Sequence, residues 1–97
     1  MTDIFVDEKA TGLEIDRLMK RRGVSVRDVY DMLGTLSSVR VIYRWMNGET
    51  LPSLDNLVKL SRILGVSLDD LVMVKEMEFG RQNDLPSHLF PGKQAAA

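Results

Sequence analysis

Apolar residues recur along this chain at intervals of three and four positions, which is the period of an amphipathic helix. The pattern repeats five times between residues 11 and 72. A glycine is favoured directly after the last residue of a helix because it adopts the left-handed conformation at little steric cost. The first four repeats end at such a residue: Gly23, Gly34, Gly48 and Gly65. The pattern therefore predicts five short helices in an all-α domain.

Residues that cap helices stand at the predicted starts. The predicted N-caps are Thr11, Ser25, Ser38, Ser53 and Ser67. Two of these serines have an acidic partner three residues later, Asp28 and Asp70. This is the spacing of a capping box, in which each residue satisfies a backbone amide of the other. The second and fifth helices are therefore the best specified from local sequence.

Both ends of the chain lack the helical period. The apolar trio from Ile4 to Val6 lies in an acidic segment and predicts a strand or an ordered arm. Residues 72–79 partly alternate, so they fit either a strand or an extended fifth helix, and residues 80–97 predict a mostly extended, flexible tail. The expected divisions are an arm (1–10), a helical domain (11–73) and an extension (74–97) that begins with a candidate dimerisation segment.

Composition restricts the classes of function. The chain has no cysteine, which excludes disulfides and thiol chemistry, and a zinc site at its single histidine, His88, would need carboxylates alone. No cluster of residues typical of catalysis and no glycine-rich phosphate loop occurs. No apolar run approaches the length of a membrane span, and no signal pattern begins the chain. We therefore expect a soluble, cytoplasmic protein that is not an enzyme, with no evident metal or small-molecule ligand.

Charge is unevenly distributed although the net charge is −1. Residues 1–16 hold five acidic and one basic residue, residues 17–44 hold two acidic and seven basic residues, and residues 45–97 hold seven acidic and five basic residues. Positive charge thus concentrates on the first three predicted helices, where it could attract a phosphate backbone. For Lys20, Arg21 and Arg22 a second interpretation has equal weight. In it, these residues are simply solvated cations at the C-terminal end of a helix, where the macrodipole favours positive charge.

The third predicted helix, from Ser38 to Asn47, has two distinct sides. At about 100° per residue, its polar side holds Arg40, Tyr43, Arg44 and Asn47, with Val39 at the border. The opposite side holds Val41, Ile42, Trp45 and Met46. Trp45 is therefore predicted to pack in the core rather than stack on bases. A short helix with a cationic outer side is suited to entering the major groove of DNA.

These motifs, in this order over residues 13–73, resemble the lambda-repressor-like helix-turn-helix family, also called the Cro or xenobiotic-response-element type. The resemblance implies a compact five-helix fold, sequence-specific binding of double-stranded DNA, a homodimer and no cofactor. The matching segments are Gly23-Val24-Ser25, Leu33-Gly34, Ile42-Tyr43-Arg44-Trp45, Asn47-Gly48, Leu51-Pro52-Ser53-Leu54 and residues 64–71.

Carried over position by position, the resemblance makes the third helix the recognition helix. It implies that Val39, Arg40 and Arg44 read base edges, with Tyr43 on a thymine methyl or a phosphate. The resemblance and the basic segment together give the expected phosphate-binding set: Asn47, Ser38, Arg27, Lys20, Arg21 and Arg22. The expected function is a transcriptional regulator, and a repressor in particular.

Three features depart from the family pattern. The segment from Gly34 to Trp45 is about two residues longer than usual, and Val26 stands where a glutamine is common. Tyr30 occupies a position that usually holds a small alanine. A bulky Tyr30 would push the third helix away from the second, and a longer turn would accommodate it. We therefore predict a displaced third helix.

The near-neutral net charge and the acidic first segment support an alternative function. In this alternative, the helix-turn-helix scaffold is a protein-binding module such as an antitoxin or an anti-repressor. Loss of DNA binding on replacing Arg40 and Arg44 would separate the two readings, since only the DNA-binding function requires those side chains.

Overall fold

The structure, a computed structural model, describes residues 2–78. Its elements are β1 (Thr2–Val6), α1 (Glu8–Arg22), α2 (Val26–Leu33), α3 (Arg40–Met46), α4 (Leu54–Leu64), α5 (Leu68–Leu71) and β2 (Val74–Glu78). The five predicted helices are present, but the strictly all-α expectation is wrong because β1 and β2 form a small sheet. No helix in the described part is long and apolar enough to cross a membrane. The predicted tail (80–97) with His88 lies outside the described residues.

Local capping sets the starts of α2, α4 and α5 as predicted. The Ser25 hydroxyl accepts from the Asp28 amide at 3.0 Å, and the Asp28 carboxylate accepts from the Ser25 amide at 3.0 Å. Ser67 and Asp70 form the same reciprocal pair before α5, and Ser53 caps α4 through the Asn56 amide. Each pair satisfies backbone amides that have no partner within the helix.

The predicted N-cap of α1, Thr11, is wrong. Asp7 caps this helix by accepting from the Ala10 amide at 3.0 Å, so α1 begins before residue 11 and includes the end of the expected arm. Thr11 is fully buried instead. Its hydroxyl accepts from the Met73 amide at 3.0 Å and donates to the Met73 carbonyl at 3.3 Å. The prediction from local sequence failed because the Thr11 hydroxyl bonds to Met73, which is distant in sequence.

β1 and β2 form an antiparallel ribbon in which Val6 pairs with Val74 and Ile4 with Glu76. The Asp7 amide donates to the Met73 carbonyl at 2.9 Å, which continues the ribbon to the start of α1. Of the two interpretations of the segment around Ile4–Val6, the strand is therefore confirmed, and its partner is the segment after α5.

Side chains from all five helices form one core. The fully or nearly buried apolar residues are Ile15, Leu18, Met19, Val29, Leu33, Ile42, Trp45, Leu60, Leu64 and Leu71. Leu54 and Val58 also belong to the apolar stripe of α4, but they are 69 % and 38 % exposed. At about 100° per residue they lie to one side of the direction shared by Leu60 and Leu64. The apolar stripe of α4 is therefore wider than the surface that covers it.

Gly12 permits α1 to cross the last turn of α3 at very short range. A Cβ atom at residue 12 would lie 2.3 Å from the Trp45 carbonyl oxygen and 2.8 Å from that of Met46. These atoms belong to the backbone, so a side chain there would force the two helices apart. Gly12 is thus a packing residue inside α1, although its place beside Thr11 suggested a helix start.

We expect Gly12→Ala to destabilise the protein by about 1–3 kcal/mol, the range for overpacking a close contact. The loss should appear although alanine favours an isolated helix by about 1 kcal/mol. Urea unfolding followed by the fluorescence of Trp45 measures it. The control is Leu13→Ala, at an exposed position of the same helix, for which we expect a change within about 0.5 kcal/mol. A Gly12→Ala variant as stable as the wild type would refute the close-packing role.

The Asp28 carboxylate gives the start of α2 a pH dependence. Hydrogen bonds from the Ser25 amide and hydroxyl hold the pKa of Asp28 below its ordinary value. Because the pKa is lowered in the folded state, the stabilisation is present above the unfolded pKa and disappears as pH falls through the folded one. Wild type should therefore be more stable than Asp28→Ala at neutral pH, and the difference should shrink below about pH 4. Thermal unfolding across pH tests this, and a constant difference would contradict it.

Candidate nucleic-acid interface

The packing of α3 leaves its polar side open to solvent. Ile42 and Trp45 are 0 % and 3 % exposed, which fixes the rotation of this seven-residue helix. The exposed side chains on the other side are Arg40, Tyr43, Arg44 and Asn47. Within residues 2–78, neither arginine has an ion-pair partner. Two guanidinium groups one turn apart are therefore accessible and uncompensated.

The residues before α3 are less accessible or are already bonded. Val39, the last residue before the helix, is half-buried. Ser38 lies one position earlier than an N-cap, so its predicted capping position is off by one residue. Its hydroxyl nevertheless accepts from the Arg40 amide at 3.2 Å. Of the four predicted base-reading residues, Val39 thus offers the smallest surface to a ligand.

Arg27 lies at the start of α2 above the ring of Tyr30. Its guanidinium carbon is 5.4 Å from the ring centroid, and its Nε is 3.5 Å from Asp31 Oδ1. Exposed ion pairs of this kind contribute at most about 1 kcal/mol, so a phosphate could replace the carboxylate. Tyr30 is half-buried and packs on the core. The displacement of α3 by this ring stays a prediction.

The three basic residues that end α1 point in different directions. Lys20 Nζ lies 3.0 Å from Asp16 Oδ2. Arg21 lies about 180° around the helix from Gly12, the residue that touches α3. Arg22 reaches the end of α4, since a Cβ at Gly65 would lie 3.0 Å from its Nη1. The structure therefore does not bring this triad together with α3 as one basic surface.

Arg21 belongs to the side of α1 that faces α5. The pKa of Glu14 is lowered chiefly by a hydrogen bond from Arg17, with further contributions from the charges of Arg17 and Arg21. The charge of Asp70 acts in the opposite direction on the same carboxyl. Arg21 thus lies in a mixed-charge cluster near the start of α5.

Sequence reasoning missed Lys9, which lies at the far end of α3. A Cβ on Gly48, directly after Asn47, would be 2.8 Å from both Cα and Cγ of Lys9. Lys9 was assigned to the arm because the predicted start of α1 was too late. The aspartate that caps α1, Asp7, was the available signal, since it sets the helical phase that turns Lys9 toward α3.

The helix-turn-helix family model matches residues 15–71, which is more than half of the chain. This protein therefore belongs to the lambda-repressor-like helix-turn-helix family, whose members are DNA-binding transcription regulators. The match runs from the middle of α1 to the end of α5 and includes α2, α3 and the turn between them. The ribbon lies outside it.

Solved structures of similar fold include two DNA-binding domains of BldD and a controller protein. The BldD domain is 18 % identical, covering 69 % of this chain and 94 % of that chain with a TM-score of 0.58. The S. venezulae BldD DNA-binding domain is 18 % identical, covering 69 % and 97 %, with a TM-score of 0.58. The restriction-modification controller protein C.AhdI from Aeromonas hydrophila is 22 % identical, covering 67 % and 96 %, with a TM-score of 0.60. These likenesses establish the fold. No curated protein matches the chain.

Proposed function

We propose that this protein is a sequence-specific repressor that binds double-stranded DNA and reads the major groove with α3. One observation carries the proposal: Arg40 and Arg44 project together, without ion-pair partners in residues 2–78, from a helix anchored by a buried tryptophan. A guanidinium group can bind guanine O6 and N7 through two hydrogen bonds. Each such contact discriminates against a wrong base by about 1–3 kcal/mol.

The neighbours of the two arginines take supporting roles in this proposal. Tyr43, 48 % exposed between them, is placed to touch a thymine methyl or a phosphate. Asn47 and Ser38 lie at opposite ends of α3, where the groove walls would be, and Arg27 begins α2. Lys20 remains in the phosphate-binding set, whereas Arg21 and Arg22, on the α4–α5 side, are assigned to helix-end interactions.

We further propose that two copies bind a two-fold operator, in the cytoplasm. A helix of seven residues is only about 10 Å long, so one copy can read few base pairs. A symmetric dimer would double this contact, with half-sites about 34–36 Å apart. The description of two similar structures as DNA-binding domains, and of a third as a controller protein, supports a regulatory role. The proposal includes no cofactor and no catalytic activity.

The double substitution Arg40→Ala/Arg44→Ala tests the function. Bound sequences are first selected from a random duplex pool with wild-type protein, and affinity for the selected duplex is then measured by fluorescence anisotropy at stated salt. We expect at least a 30-fold loss, about 2 kcal/mol, because two base contacts disappear. The fold should persist, since both side chains are exposed, and circular dichroism checks it.

The matched control is Lys59→Ala/Arg62→Ala, which removes the same charge from exposed positions on a different helix, α4. It should keep most of the affinity for the selected duplex. Equal losses in the two double variants would mean that net charge alone drives binding, and the groove-reading role of α3 would be wrong. Unchanged affinity in the α3 variant would favour a different surface or a protein partner.

A second candidate function is a protein-binding module of the antitoxin or anti-repressor kind. Large apolar side chains that are more than half exposed favour it: Ile4, Leu13, Met32, Leu54 and Val74. Such residues are common singly on monomeric surfaces. Ile4 and Val74 share one face of the ribbon, where Val74 pairs with Val6, whereas the other three lie on α1, α2 and α4. The uncompensated arginines of α3 make DNA the better-supported partner.

A further inference from the structure

We infer that Lys9 binds a backbone phosphate at the C-terminal end of α3, an inference that rests on the proposed DNA-binding function. The residue precedes the part of the chain matched by the helix-turn-helix family model. It also lies outside the basic segment from Arg17 to Arg44. Its position beside α3 is a result of folding alone.

The position of Lys9 is fixed by two close backbone approaches. A side chain on Gly48 would collide with Lys9, since a Cβ there would be 2.8 Å from Lys9 Cα and 3.2 Å from its amide nitrogen. Three residues further along α1, Gly12 touches the carbonyls of Trp45 and Met46. The first two turns of α1 are thus seated on the last turn of α3, so Lys9 moves with the recognition helix.

The length of α3 explains why a cation at this point would meet phosphate. The helix is about 10 Å long, and the major groove is about 12 Å wide. A helix lying across the groove therefore ends close to the sugar-phosphate wall. Groups just beyond its C-terminal end, which are Asn47, Gly48 and Lys9, are the ones nearest that wall.

Near the C-terminal end of α3, the charge of Lys9 is not neutralised by a neighbouring carboxylate. The segment between α3 and α4, residues 47–53, contains Glu49 and no basic residue. Lys9 is exposed, and within residues 2–78 no carboxylate forms an ion pair with it. The neighbouring Asp7 carboxylate is engaged by the Ala10 amide. Lys9 thus supplies the free cation that the chain segment after α3 lacks.

A purely structural role is the competing explanation. A cation near the last carbonyls of a helix stabilises the helix by interacting with its macrodipole. In that role Lys9 would raise the stability of the folded protein, and the affinity for DNA would not depend on its charge. The two roles differ in the salt dependence of binding, because each phosphate contact releases counterions and adds about 0.9 to the slope of log affinity against log salt.

The test compares wild type with Lys9→Gln and Lys59→Gln. Lys59→Gln is the control, because it removes the same charge from an exposed position of α4. The probe is a fluorescein-labelled duplex of mixed sequence, titrated by anisotropy over a series of KCl concentrations. We expect Lys9→Gln to lower the magnitude of the slope by about 0.9 and Lys59→Gln to leave it near the wild-type value. Lys9→Arg should retain the wild-type slope. Melting temperatures of all variants should agree within about 2–3 °C.

The outcomes separate this inference from the proposed function. If wild type binds and Lys9→Gln keeps the full slope, Lys9 makes no phosphate contact while the function stands. A fall in melting temperature with an unchanged slope would assign Lys9 to the α3 macrodipole and overturn the inference. An equal change in Lys59→Gln would reduce the effect to net charge and overturn it as well. Wild type that binds no duplex in dilute buffer would overturn the function and this contact together.

Discussion

The crossing of α1 over the last turn of α3 is the constraint on which the position of α3 depends. α3 has seven residues, and so short a helix is unstable in isolation because nucleation is costly. Its direction is therefore set by tertiary contacts. The Trp45 side chain lies in the core, and its carbonyl lies against Gly12. One residue thus connects α3 to the core by its side chain and to α1 by its backbone.

The features that local sequence predicted well are those with local causes. The capping boxes at Ser25 and Ser67 place donor and acceptor three residues apart, so their geometry is complete within one turn. The two-sided character of α3 follows from helical period alone, and Trp45 is buried as expected. The five helices were therefore predictable, and so was the exposure of Arg40 and Arg44 on one side.

The features that the sequence left hidden have partners far along the chain. Thr11 resembles a cap, yet its hydroxyl bonds to Met73, sixty-two residues away. Gly12 resembles a helix start, yet its lack of a side chain accommodates two carbonyls of α3. Periodicity cannot distinguish these uses, because the same residue type satisfies both. The position of Lys9 was lost for the same reason, as it depends on where α1 begins.

The distribution of charge shows why adjacency in sequence is a poor guide to a binding surface. Lys20, Arg21 and Arg22 are consecutive, and consecutive residues diverge by about 100° around a helix. Arg40 and Arg44 are four apart and share one side, since this spacing brings side chains together. The three consecutive basic residues therefore point in three directions. Arg40 and Arg44, which are separated in sequence, form the accessible cationic pair. Charge counted along the chain therefore does not identify which basic side chains lie side by side.

One turn of α1 contacts both the ribbon and α3. Thr11 holds Met73 at the base of the ribbon, and Gly12, the next residue, touches α3. The two contacts point in different directions because adjacent residues diverge around the helix axis. Since the backbone of this turn is hydrogen-bonded internally, the junction with the ribbon and the seat of α3 are held in a fixed relation. The ribbon lies outside the family match, yet it is fastened to the turn that positions the exposed side chains of α3.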